Sequence, residues 1–197
     1  MTSSAHNAQQ NVLNNPTTLA AILAEDSHSA DQIIDAVVDR LQRQAYSLVG
    51  LRQKVTDDIC SHGGCGIRLQ SITTGRYHRM TQNLGVGSTS CNIDTDAMSR
   101  LVLAQKQGLN VETDLLIVNR FGKQESEGGG FCAVFERALE LGIPVLTVVK
   151  AQWQSSWVDY GGEYVATLPA DPDPVLAWCH SVLWVNRSVD ANTLAVD

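Results

Sequence analysis

The chain has 197 residues, 44% of them hydrophobic, enough for one α/β domain with a proper core and short tails. Its formal net charge of −7 gives no electrostatic basis for general binding to nucleic acid or to a membrane surface. No window approaches the ~20 apolar residues of a membrane span, and the polar first residues lack a charged-then-apolar leader. Five scattered cysteines do not form a secreted disulfide framework, so a cytoplasmic protein without membrane insertion is expected.

In chain order, residues 1–17 are rich in Ser, Asn and Gln and predict a disordered tail outside the fold. Leu19–Ala24 is a short apolar run, read as a buried strand, with Glu25-Asp26-Ser27-His28-Ser29 as its exit loop. From Ala30 to Gln44, Ile33, Ile34, Val37, Val38 and Leu41 recur at three- and four-residue spacing, which predicts an amphipathic helix capped by Ser29 or Ser27. Tyr46–Val55 and Gly66–Ile72 alternate apolar with polar residues, as strands of a half-exposed sheet do. With Arg76–Met80 they predict a small antiparallel excursion. Gln82–Ser90 is a polar, glycine-containing loop, and Asp94–Gln105 returns to helical spacing with Asp94 or Thr95 as cap.

The stretch Asp114–Phe131, DLLIVNRFGKQESEGGGF, reads as strand, loop and helix start. A helix over Cys132–Leu141, stopped at Gly142, and a buried strand over Pro144–Val149 complete a β-α-β unit whose two strands should be parallel neighbours. A short helix over Trp153–Tyr160, a strand over Val165–Leu168 and a helix over Pro172–Leu183 follow. The domain is therefore expected to span 18–184, with 185–197 as a tail. Trp178 and Trp184, if exposed, would mark a subunit contact, hence an expected homo-oligomer.

Function concentrates in the loop of that central stretch, because strands of an α/β sheet stop where ligands bind. Asn119, Arg120, Lys123, Glu125 and Glu127 crowd a few positions before Gly128 and Gly129. Glycines leading into a helix leave backbone donors open at the positive end of its dipole, a geometry suited to an anion. Arg79, Gln82 and Ser88 offer a second surface for the same small anionic ligand, a molybdate, tungstate or phosphate-like species. The two glutamates oppose an anion unless they face Lys123 or Arg120, and the same residues also fit a solvated, salt-bridged loop. Separately, Cys60, His62 and Cys65, with Cys91 more remote, could meet a soft or borderline metal or remain unligated thiols. Cys132 and Cys179 fall among apolar neighbours and read as core.

Asp114–Gly130, Gly142–Thr147, Trp157 with Gly161-Gly162, and Asp173–Cys179 together resemble an uncharacterised bacterial family, domain of unknown function 2478. The likeness spans Leu19–Cys179, and NRFGKQESEG is its most specific segment. The resemblance implies a three-layer P-loop-NTPase-like α/β sheet and a place beside molybdate-transport and molybdenum-enzyme genes. It also favours Cys65 and Cys91 as family-type positions. More distantly, the element order resembles the THEP-type nucleoside-triphosphatases, in which a segment like Leu115–Gln124 is the Walker B strand. This chain departs from them. A P-loop needs glycines and a lysine to cradle phosphates, whereas Glu25–Ala30 has neither, and Asn119 stands where an acidic residue would follow the strand. The reading is an α/β protein without an intact Walker A loop that binds or handles an oxyanion in molybdenum metabolism. The alternatives are a nucleotide-binding protein or NTPase with a degenerate phosphate loop, and a Cys/His metal-binding protein.

Overall fold

The computed structural model describes residues 17–54, 67–81 and 93–193, with side chains through 184. Gln82, Ser88, Cys60, His62, Cys65 and Cys91 lie outside the described residues, as does the expected N-terminal tail up to residue 16. The elements run β1 (Leu19–Ala24), α1 (Ser27–Arg43), β2 (Leu48–Gln53), β3 (Arg68–Ser71), β4 (Tyr77–Arg79), α2 (Thr95–Gly108) and β5 (Leu115–Phe121). After these come α3 (Lys123–Ser126), α4 (Cys132–Glu140), β6 (Val145–Lys150), α5 (Gln154–Gly161), β7 (Val165–Pro169) and α6 (Pro172–Thr193).

The strands form one seven-stranded sheet in the order β4-β3-β2-β5-β6-β1-β7. Strands β2, β5, β6, β1 and β7 are parallel, and β3 and β4 continue the sheet antiparallel beyond β2. This is the three-layer α/β architecture with an antiparallel excursion that the sequence predicts, and β5 and β6 are the expected parallel neighbours. Period-two alternation sorts each strand between two cores. Ala20, Ile22 and Ala24 of β1, with Leu115 and Ile117 of β5, pack with α1 and α6 on one face. Leu19 and Ala21, with Leu116 and Val118, pack under α4 and Trp157 of α5 on the other.

Four details differ from expectation. The cap of α1 is Asp26, not Ser27 or Ser29, because its carboxylate accepts the backbone N–H groups of both His28 and Ser29. A carboxylate there also complements the helix dipole. Strand β2 is buried over Leu48–Leu51 because it pairs with β5 as part of the parallel sheet, and only β3 and β4 form the half-exposed excursion. Strand β5 continues through Asn119-Arg120-Phe121, which the sequence assigns to a loop. Helix α6 runs past Leu183 to Thr193, into the segment expected as a tail. Among the tryptophans, Trp157 is fully buried and meets Phe121 edge-on at 5.3 Å, and Trp178 is buried with its Nε1–H donating to the Thr17 carbonyl at 3.0 Å.

The junction between β2 and β5 depends on Gly50. Its φ is +139°, and a Cβ there would lie 1.8 Å from the Ile117 carbonyl oxygen, a backbone atom that cannot step aside. Gly50→Ala is therefore expected to lower stability by about 3 kcal/mol, read as a fall in urea midpoint. Gly75→Ala, whose Cβ meets no atom within 4 Å, should lose only about 1 kcal/mol. Equal losses would contradict the steric account.

Candidate functional site

Strand β5 carries one residue too many. Val118 pairs with Thr147 and Phe121 with Val149, so three steps on β5 match two on β6. An inserted residue reverses the side-chain phase beyond it. Phe121 accordingly joins the α4/α5 core, although Leu115 and Ile117, at the same odd parity, face α1 and α6. Thr147 closes the ladder at this point, its hydroxyl donating to the Val118 carbonyl at 2.6 Å.

Within the bulge, consecutive residues reach one acceptor. Asn119 Nδ2 donates to Asp31 Oδ1 at 2.6 Å, and Arg120 Nη2 donates to the same oxygen at 3.1 Å. Arg120 Nη1 donates to Ser27 Oγ at 2.6 Å, which ties the end of β5 to the first turn of α1. Asn119 and Asp31 are buried, yet Asn119 Oδ1 and Arg120 Nε have no hydrogen-bond partner among the described residues. Burial raises the Asp31 carboxyl above the ordinary carboxylate range, against the lowering effects of the Asn119 hydrogen bond and the Arg120 charge.

The turn after β5 turns its acid inward. Glu125 is buried and accepts the backbone N–H groups of Gly122 and Phe131, each at 3.0 Å. A Cβ on Gly130 would come within 2.0 Å of Glu125 Oε1, so the carboxylate seats only against a bare glycine. The amide of Gly128 donates to the Glu125 carbonyl and that of Gly129 to the Gln124 carbonyl. These residues therefore build the turn, and the amides of Gly128 and Gly129 are not open to an anion as the sequence suggests. Glu127 faces Lys123 across 3.9 Å, both exposed.

Around these groups lies a cleft of about 430 Å³ at the carboxyl ends of β2, β5 and β6. Strand β1 and its neighbour β6 send their following helices to opposite faces, α1 to one and α5 to the other, which opens a crevice at the sheet edge. The charged residues lining it are Arg120, Lys123, Lys150 and Glu125, joined by Ser27, Gln53, Asn119 and Gln124. Its other wall is apolar and comes from the excursion and α2. The ammonium of half-buried Lys150 has no ion-pair or hydrogen-bond partner among the described residues.

The structure thus gathers Asn119, Arg120, Lys123 and Glu125 around one cleft but not Arg79, which is exposed on edge strand β4 and does not line it. No group of three or more His, Cys, Asp or Glu among the described residues could hold a metal ion. Cys132 and Cys179 are buried free thiols, pushed up by burial to about 11 and about 12, in keeping with packing. Sequence reasoning missed Asp31, Ser27 and Lys150. Asp31 had left a signal: it shares the helical stripe of Ile34, Val38 and Leu41, where an acid is out of place unless something pairs with it.

A family model described as "Protein of unknown function (DUF2478)" matches residues 19–178. A molybdenum import ATP-binding protein, ModC 2 of Bradyrhizobium diazoefficiens, is 29% identical over 165 residues, 83% of this chain. The match covers 18% of that protein, so the chain spans about a fifth of its length. Among solved structures, a human cancer-related nucleoside triphosphatase aligns with 88% of this chain and 97% of its own, at 10% identity and a TM-score of 0.49.

Because the folded state holds the Asp31 proton more readily than the unfolded chain, the contribution of Asp31 to stability falls as pH rises through its folded value. Melting curves of the natural chain and Asp31→Asn from about pH 7 down to about pH 4 should therefore show the natural chain gaining on the variant as pH falls. A difference that is constant with pH would contradict the assignment.

Proposed function

The chain belongs to the DUF2478 family, whose description assigns no function, and on that premise we propose from the site itself that the cleft binds a small oxyanion of the molybdate or tungstate type without hydrolysing a nucleotide. The observation that carries this reading is the local charge. In a chain of net charge −7, the cleft is lined by three cations, Arg120, which is paired with Asp31, Lys123, which faces Glu127, and Lys150, and by one carboxylate, Glu125, which is turned onto backbone amides. Lys150 and Lys123 supply positive charge, and Ser27, whose oxygen already accepts from Arg120, keeps its own proton to donate. A tetrahedral dianion needs that combination. Phosphate shares the chemistry, so the physiological anion is set by supply as well as by fit. The name of the Bradyrhizobium relative refers to molybdenum import, which favours molybdate within the class.

Hydrolysis is disfavoured by what fills the phosphate positions. The turn between β1 and α1 is only Glu25-Asp26, and the Asp26 carboxylate engages the amides that a phosphate would use. Near the end of β5, Asn119 offers no carboxylate to organise Mg²⁺ or water. A second reading, a nucleotide held without turnover, draws on the words "ATP-binding" in the relative's name and on a cleft larger than a bare tetraoxoanion needs.

Calorimetric titration of the full chain with molybdate, tungstate, phosphate and ATP separates the two. Oxyanion heat should weaken by roughly 10- to 100-fold in Kd for Lys123→Gln with Lys150→Gln, a loss of charge-assisted contacts, while ATP releases no phosphate. Heat from ATP alone would favour the second reading. Silence from every oxyanion would overturn the first.

A further inference from the structure

The cleft has more room than an inorganic anion uses. A tetraoxoanion fills the space of two or three waters at ~30 Å³ each, against about 430 Å³ here, which is within the range of pockets that enclose organic ligands. The remainder is bounded by Ile67, Leu69, Met80, Ile93, Met98 and Phe131. Leu69, Met80 and Phe131 are buried, and Ile67, Ile93 and Met98 are half-buried, so the wall has a fixed base and an accessible upper rim. It comes from separate parts of the chain, namely β3 with the residues flanking the excursion, α2, and the entry to α4. An isolated bridge between Thr81 and Ile93, together with the Asp94 amide donating to the Met80 carbonyl at 2.8 Å, holds the two segments side by side. Two methionines give this surface a polarizable face that suits the edge or plane of an aromatic ring.

We infer that this wall is a second subsite, which takes a flat aromatic or heteroaromatic body carried on the anion, so that the ligand class is an aryl or heteroaryl ester of a tetrahedral oxyanion. The inference rests on the anion reading above and deepens it. The cationic end formed by Arg120, Lys123 and Lys150 takes the charged group. The wall then takes a body with no charge of its own, since no ionisable residue belongs to it among the described residues.

The test is a titration of the full chain with inorganic phosphate, methyl phosphate and phenyl phosphate, repeated on Ile93→Ala with Met98→Ala, two half-buried wall residues. Phenyl phosphate should bind roughly tenfold to a hundredfold tighter than methyl phosphate, and the ratio should collapse toward one in the double variant, with an unchanged circular dichroism spectrum confirming its fold. If phosphate binds but the phenyl and methyl esters are equal, the subsite is overturned and the anion site stands. A phenyl preference that survives the double variant places the ring elsewhere and overturns the subsite too. If none of the three binds, the subsite is overturned, and silence from molybdate and tungstate as well brings down the anion reading itself.

Discussion

One extra residue in β5 decides how this sheet ends. Without it, Asn119 and Arg120 would point to opposite faces, as neighbours on a strand do, and Phe121 would face α1. With it, both polar side chains reach Asp31 Oδ1, and Phe121 fills the space against Trp157 and Tyr160. The helix on one face and the aromatic cluster on the other are thus aligned by the same insertion. Two buried atoms, Asn119 Oδ1 and Arg120 Nε, are left without partners among the described residues, at about 1–3 kcal/mol for each group desolvated without compensation. Such a group is found where packing elsewhere overrides it, and here the strand beneath is fully buried from Leu115 to Val118.

The second organising constraint is that the chain supplies its own anions. Asp26 occupies the amino end of α1, and Glu125 bridges the turn into α4. Both carboxylates accept from backbone N–H groups, the kind of donor that an anion uses at a helix start. The helix starts keep their electrostatic satisfaction, but their binding capacity is used internally. What remains for a ligand is side-chain charge above the sheet edge, a site with different geometric demands from a backbone cradle.

Much of the fold was legible because its signals are local. The spacing of Ile33, Ile34, Val37, Val38 and Leu41 fixes the apolar stripe of α1, and the apolar runs Leu19–Ala24 and Pro144–Val149 are too short and too apolar for anything but buried strands. The position of Asn119, Arg120 and Lys123 at a sheet edge could also be read from the sequence. The bulge could not. Its phase reversal exists only relative to Thr147 and Val149 on another strand. The inward turn of Glu125 was equally hidden, since it depends on the missing side chain of Gly130 coming close in space. Where the sequence offered three glycines before a helix, it predicted open amides. The fold closed those of Gly128 and Gly129 with carbonyls, and turned the acid five residues before Gly130 onto the amides of Gly122 and Phe131.

Strand β2 joins the antiparallel excursion to the parallel sheet, and Gly50 lets it lie tight against Ile117. The apolar wall and the cationic end of the cleft therefore belong to one hydrogen-bonded lattice. Strand β3, which carries Leu69, stands two strand spacings from β5, roughly 10 Å at ~4.8 Å per spacing, and that separation is set by backbone pairing instead of by loop length. The sheet acts as a ruler: whatever occupies the cleft is measured from charge to apolar contact against a scale that side-chain motion cannot stretch.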